Sequence, residues 1–225
     1  MVEAYSVVIP AFDAADTISD ALHSLARQTV PPARVIVVDD GSRDDTAARA
    51  ETYSNAIPLV VIRQMNGGCG AATNAGVAMV DTPMLAYLDA DDVWLPHKAE
   101  AQLALLAARP ALAGLCGRCQ NFRGSVDAPP AGAVADVWGR TSLMIRTEAA
   151  RRIGPVIDGG RGDMVDWLAR GRDLGLLFEM MPEIIGMRRI RPGSLSYGRD
   201  SEKDRGYLLA VKRALDRKRQ PRGED

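Results

Sequence analysis

Apolar residues along this chain fall into two alternating rhythms, one of strand type and one of helix type. Ser6-Val7-Val8-Ile9-Pro10 is a short continuous apolar run, as expected of a buried strand. From Asp16 or Thr17 onward, Ile18, Ala21, Leu22 and Leu25 recur at helical spacing and predict an amphipathic helix. Arg34 to Asp40 is almost wholly apolar and β-branched, the pattern of a strand covered on both faces. Gly41-Ser42 turns the chain, and Asp44-Asp45-Thr46 opens a second helix. Leu59 to Ile62 reads as a third strand, and Asn66 to Gly70 as a tight loop feeding a helix from Ala71 to Val80. A fourth apolar run, Pro83 to Leu88, ends in acids. This βαβα order predicts an α/β fold, a Rossmann-like open and mostly parallel sheet with helices on both faces.

After Pro110 the rhythm changes. Gly114 to Gln120 reads as a strand, Gly124 to Gly132 as a Pro/Gly/Ala-rich loop, and Thr141 to Arg146 as another strand. A short helix is expected from Thr147 or Glu148 to Gly154. A second is expected from Asp163 to Arg170, with Met164, Trp167 and Leu168 inward. Met187 to Ile190 reads as a last strand, and Ser201 to Arg219 as a helix. The division expected is a first half over 1–110, a second over 111–200, and a C-terminal helix with a basic tail over 201–225.

Composition narrows the function more than the fold. The chain has 225 residues, 47% hydrophobic and 25% charged, as in a soluble globular protein with a full core. A net charge of −1 gives no global argument for nucleic acid. The basic run from Lys212 to Arg222 reads as a solvated helix end. Cys116 and Cys119 form a CxxC without the second pair that a zinc site needs, and two histidines, His23 and His97, do not make a His-based metal site. Reduced cysteines, no N-terminal signal and no apolar run of spanning length predict a cytoplasmic protein without a transmembrane segment, with peripheral membrane contact left open.

The candidate chemistry sits at strand ends, where open parallel sheets bind ligands. Pro10-Ala11-Phe12, Asp39-Asp40-Gly41-Ser42 and Asp89-Ala90-Asp91-Asp92 follow the first, second and fourth strands. Strand alternation would point Asp89 and Asp91 to one side, and two hard oxygen ligands on one side suit Mg²⁺ or Mn²⁺. The structural alternative is that Asp91 or Asp92 caps the helix starting near Pro96. Gly67-Gly68-Cys69-Gly70 adds backbone N–H groups near a helix start, suited to a sugar or phosphate. It is neither a P-loop nor a dinucleotide fingerprint.

Four motifs occur in order: Ser6 to Phe12, Val37 to Thr46, Asn66-Gly67-Gly68 with Asn74-Ala75-Gly76, and Leu88 to Trp94. Together they resemble the family 2 glycosyltransferases of the GT-A fold. Thr141 to Arg146 with Ile153-Gly154, and Gly162 to Leu168, resemble that family's later motifs more loosely, so the likeness reaches about Tyr197. The resemblance implies inverting sugar transfer from a nucleotide diphosphate donor, most often UDP-linked, and a short chain without membrane helices favours transfer of a single sugar. The acceptor is unidentified: a glycan, lipid-linked glycan, peptide or natural product. The first half would hold the nucleotide sugar and the second the acceptor. Pro10, Ala11, Phe12, Asp13 and Asp40 would contact base and ribose, with Asn66, Gly67, Gly68, Asp89 and Ala90 completing the donor site. Asp91 would ligate Mn²⁺ or Mg²⁺, and Asp163 would be the general base, with Asp158, Asp166 and Asp173 as rivals and a helix cap as its structural alternative. Where the family commonly has Asn, Arg and His, this chain has Asp13, Thr73 and Arg191. Arg191 cannot ligate a cation but can pair with phosphate; its alternative role is a surface salt bridge. Two other readings compete. A catalytically silent nucleotide-sugar-binding module of a larger assembly fits the altered positions, but not the retention of Asp91 and Asp163. A nucleotidyltransferase would carry a basic Gly-rich loop after the first strand, which Pro10-Ala11-Phe12-Asp13 is not.

Overall fold

The computed structural model describes residues 3–127, 132–157, 162–191 and 201–219. Asp158, the Pro192 to Ser194 segment and the tail beyond Arg219 lie outside them. The first half runs β1 (Tyr5–Ala11), α1 (Ile18–Ala26), β2 (Arg34–Asp39), α2 (Thr46–Glu51), β3 (Leu59–Arg63), α3 (Cys69–Ala78) and β4 (Met84–Tyr87). Then come β5 (Val93–Trp94), α4 (Lys98–Ala108), β6 (Leu112–Phe122), β7 (Val134–Val137), β8 (Met144–Arg146), α5 (Thr147–Ile153), α6 (Asp163–Asp173), β9 (Leu177–Arg189) and α7 (Ser201–Arg219).

One mixed sheet carries these strands in the order β3-β2-β1-β4-β8-β6-β9-β5, with β7 on β6. The first four pair in parallel. β8 is antiparallel to β4 and β6, and β9 returns parallel to β6. Strand alternation divides the core. Val7, Ile9, Val35 and Val37 pack on α1 and α4, whereas Val8, Ile36, Val38, Leu85 and Tyr87 pack on α3, α5 and α6. Gly76 lets α3 lie close on β1: a Cβ there would come within 2.4 Å of Val8 Cγ1.

The second half departs from the sequence expectation. Beyond the expected Gly124 to Gly132 loop lies β7, a short edge strand antiparallel to β6 that the sequence reading does not anticipate. β9 starts ten residues before the expected Met187 and runs to Arg189. It contains Pro182 and pairs with β6 through register shifts, so no simple period marks it. Thr141 and Ser142 lie in a turn before β8 rather than in the strand.

Lys98 is buried under the sheet end. Its Nζ lies 3.8 Å from the Trp94 ring centroid and donates to Gln102 Oε1 at 2.5 Å. Gln102 in turn donates to the Leu115 and Ser142 carbonyls. Burial pulls the ammonium down to about 7. The unfolded chain therefore binds a proton here that the folded chain sheds above that value, so stability rises with pH from about 7 toward the unfolded pKa. Burial pushes the Cys116 and Cys119 thiols up to about 11 and about 12, and these act in the opposite sense only near and above pH 9. Urea unfolding should show wild-type stability about 2 kcal/mol higher at pH 9 than at pH 7 from this group. Lys98→Met should be more stable than wild type at pH 7 and lose that rise; an unchanged pH slope would remove Lys98 as its source.

Candidate active site

The carboxyl ends of β1, β2 and β4 open into a cavity of about 690 Å³, within the range of small-ligand sites. The nucleotide-side wall is stitched across two loops. Asp13 N donates to Ser42 Oγ, Ala14 N to Thr46 Oγ1, and Ala15 N to Asp44. Ser42 N in turn donates to Asp39 Oδ1. That is the physical content of Asp39-Asp40-Gly41-Ser42 through Thr46: its side chains satisfy the backbone that leaves β1. Asp13 takes a left-handed φ of 44°, and its carboxylate accepts from Arg43 N and Arg43 Nη2. Those bonds hold its pKa below the usual carboxylate range.

Asp40 is buried and accepts from Gly67 N at 2.9 Å, Gly68 N at 2.8 Å and Gln64 Nε2 at 2.7 Å. Asn66 Nδ2 donates to the Asp40 carbonyl. The carboxylate thus anchors the glycine loop, and Gly68, with φ 90°, turns it into α3. Of about four lone-pair sites on a carboxylate, three are in use, which leaves room for one further donor.

The acidic run is a turn, not a strand end. β4 stops at Tyr87, and Asp92 N donates to Asp89 O. Asp89 and Asp91 both face the cavity. Asp92 turns away, accepting from the Thr141 hydroxyl and from Arg189 N at 2.8 Å. It caps no helix: α4 has His97 at its N-cap and no side-chain cap bond. Burial, reinforced by Asp91 and Asp89, pushes Asp92 well up. Burial also raises Asp89, against the pull of Arg140. Arg189 braces the turn, with Nε on the Asp91 carbonyl, Nη2 on Asp20 at 2.6 Å, and its guanidinium 4.6 Å from the Phe122 ring centroid.

Asp163 opens α6 at the same cavity, as its first residue, with Gly162 at the N-cap. The expected helix-cap alternative is therefore not taken up. Its Oδ1 accepts from Met164 N at 2.6 Å, and its Oδ2 from Arg140 Nη2 in a buried ion pair. Arg140 Nε also donates to Thr73 Oγ1 at 3.1 Å, so a cation stands beside Thr73 although the residue there is neutral. Burial opposes the Arg140 charge, but Cys69, Asp163 and Asp89 outweigh it and hold the pKa above its ordinary value. Arg191 Nε lies 3.4 Å from Asp91 Oδ2, an ion pair within the cavity rather than on an outer surface. The rivals of Asp163 are otherwise engaged: Asp166 and Asp173 both pair with Arg217 of α7.

Pro10, Ala11, Phe12, Asp40, Asn66, Gly68, Asp89, Ala90, Asp91, Asp163 and Arg191 line this one cavity. Asp13, whose carboxylate is bonded to Arg43, and Gly67 do not line it. Arg140, Trp138, Thr141 and Arg188 also line it. Sequence reasoning missed them because long-range folding, not spacing, brings them in. Among the described residues no group of three or more His, Cys, Asp or Glu could hold a metal by itself. Asp91 and Asp89 offer oxygen ligands at the cavity wall, which fits a divalent cation whose shell is completed by a bound diphosphate.

The glycosyl transferase family 2 model matches residues 6–158, more than half of the chain and all of the strand-end motifs. The chain belongs to glycosyl transferase family 2. An uncharacterised glycosyltransferase of Rickettsia prowazekii is 36% identical over 101 residues, 45% of this chain and 31% of the relative. The UDP-Glc:alpha-D-GlcNAc-diphosphoundecaprenol beta-1,3-glucosyltransferase WfgD of Escherichia coli is 28% identical over 101 residues, 45% of this chain and 40% of that protein. The matched stretch thus spans less than half of either relative. The fold is that of GT-A enzymes. S. aureus TarS, solved with UDP-GlcNAc, superposes with a TM-score of 0.78 at 19% identity over 95% of this chain and 66% of that one. The mannosyltransferase PcManGT of Pyrobaculum calidifontis, solved with GDP-Man and Mn²⁺, gives 0.71 at 14% identity over 95% and 70%. Among the described residues of this family 2 member no helix is long and apolar enough to cross a membrane.

The glycine loop depends on one carboxylate. Asp40→Asn puts an amide where two N–H groups need an acceptor, and should cost about 2–4 kcal/mol in urea unfolding. An unchanged midpoint would show that the loop is held by something else.

Proposed function

We propose that this family 2 enzyme moves a single sugar, with inversion, from a nucleoside diphosphate sugar to an acceptor nucleophile. The observation that carries this reading is the meeting of Asp91 and Asp163 in the cavity that the β1, β2 and β4 ends and the glycine loop enclose. Phe12, partly exposed at its mouth, offers a face for the base, and Asp40 a remaining acceptor site. Asp89 would meet the ribose. Asp91 would hold Mn²⁺ or Mg²⁺, which supplies charge neutralisation for the departing diphosphate. Asp163 accepts the proton of the acceptor group as that group bonds to the anomeric carbon, and the bond from that carbon to the diphosphate breaks. UDP is the favoured nucleotide, because the TarS neighbour holds UDP-GlcNAc and the E. coli relative is named for UDP-Glc.

The second reading, a silent nucleotide-sugar-binding module, is favoured by one observation: both working carboxylates are paired with arginine. Slow donor hydrolysis, with water as surrogate acceptor, separates the two.

UDP with Mn²⁺ should raise the melting temperature, since a ligand of the folded state stabilises it by mass action. Asp91→Ala should abolish the metal-dependent part. If UDP, GDP and dTDP all leave melting unmoved with either metal, the donor reading fails.

Asp163→Asn should still fold, less stably for want of the Arg140 ion pair, and still bind nucleotide, but should lower transfer by roughly 10²–10⁴-fold, the usual worth of a general base. Transfer or donor hydrolysis near the wild-type rate would take Asp163 out of that role.

A further inference from the structure

We propose that Arg140 is a counter-ion that changes partners: it covers Asp163 until the donor binds and then turns to the donor diphosphate, leaving Asp163 free to take the acceptor proton. The inference rests on the reading that the cavity takes a nucleoside diphosphate sugar.

Three observations lead to it. Asp163 has both oxygens committed, Oδ1 to Met164 N and Oδ2 to Arg140, and is only 6% exposed. Two of its about four lone-pair sites are taken, and the guanidinium on Oδ2 balances the charge that would draw an acceptor proton, whereas Met164 N is fixed in the backbone of α6. Arg140 is the movable partner. It comes from the segment between β7 and β8, and among the described residues its other hydrogen bond is the 3.1 Å bond to Thr73 Oγ1, whose own hydroxyl proton goes to Cys69 O. Thr73 lies one turn into α3, the helix whose first residue, Cys69, and preceding Gly68 line the cavity. The guanidinium therefore stands between the glycine loop and Asp163, close enough to Asp89 and Asp163 to feel both charges.

Charge balance gives the direction of the exchange. Asp40, Asp89, Asp91 and Asp163 already face the cavity, and a diphosphate adds further negative charge. In a partly desolvated cleft that charge must be met by cations already present, and a planar guanidinium suits phosphate oxygens. Once Arg140 turns, Asp163 loses its cover only when a donor is in place. The proton acceptor is thus armed by the substrate it serves, and donor binding precedes acceptor activation.

Calorimetric titration of UDP, UMP and uridine, with Mn²⁺ present, into wild type, Arg140→Gln and Asp163→Asn tests this. Arg140→Gln should weaken UDP by about 10- to 100-fold, the worth of a charge-assisted contact, and leave uridine within about twofold. Asp163→Asn removes the resting partner of Arg140, so UDP should bind several-fold tighter than to wild type, with uridine unchanged. That second arm stands even if Arg140→Gln fails to fold. Equal losses for all three ligands in Arg140→Gln, or no gain for UDP in Asp163→Asn, would overturn the exchange while leaving the donor site in place. A wild type that binds none of the three would sink the donor reading for uridine nucleotides and the exchange with it.

Discussion

The turn from Asp89 to Asp92 sets three carboxylates within four residues, Asp92 buried and Asp89 and Asp91 half-buried at the cavity wall, and the surrounding structure is arranged to bear that charge. Asp92 is met by the Thr141 hydroxyl and the Arg189 backbone, so the end of β9 is tied to the end of β4. Asp91 faces Arg191, and Asp89 lies near Arg140. Removing one partner from a buried ionic cluster leaves an uncompensated charge, which costs far more than the pair contributes. The crowded turn therefore dictates where the second half must place its arginines.

The first half was readable because its signals are local. β-branched runs made the parallel strands, helical spacing picked out Ile18, Ala21, Leu22 and Leu25, and the Asp39 to Thr46 motif bonds to residues that the chain has just passed. The cavity-facing pair Asp89 and Asp91 was also foreseen, although a turn rather than strand alternation presents them. The bond from Arg43 to Asp13, by contrast, has no mark in the sequence.

The second half was less legible for a physical reason. β5 is two residues long, β7 borders a Pro/Gly/Ala-rich stretch, and β9 gains its length from pairing with β6 rather than from any period of its own. Arg140 reaches Thr73 across 67 residues, and Arg189 reaches Asp20 across 169. Such contacts depend on the assembled sheet and leave no mark in spacing.

Gly76 carries a consequence that reaches beyond packing. The missing side chain lets α3 settle on Val8, and Thr73, one turn earlier on that helix, is the ledge on which Arg140 rests. A methyl group at Gly76 would lift the ledge from behind. A substitution on the hidden side of the helix, touching no ligand, would then behave in an enzyme assay like a lesion in the cavity itself.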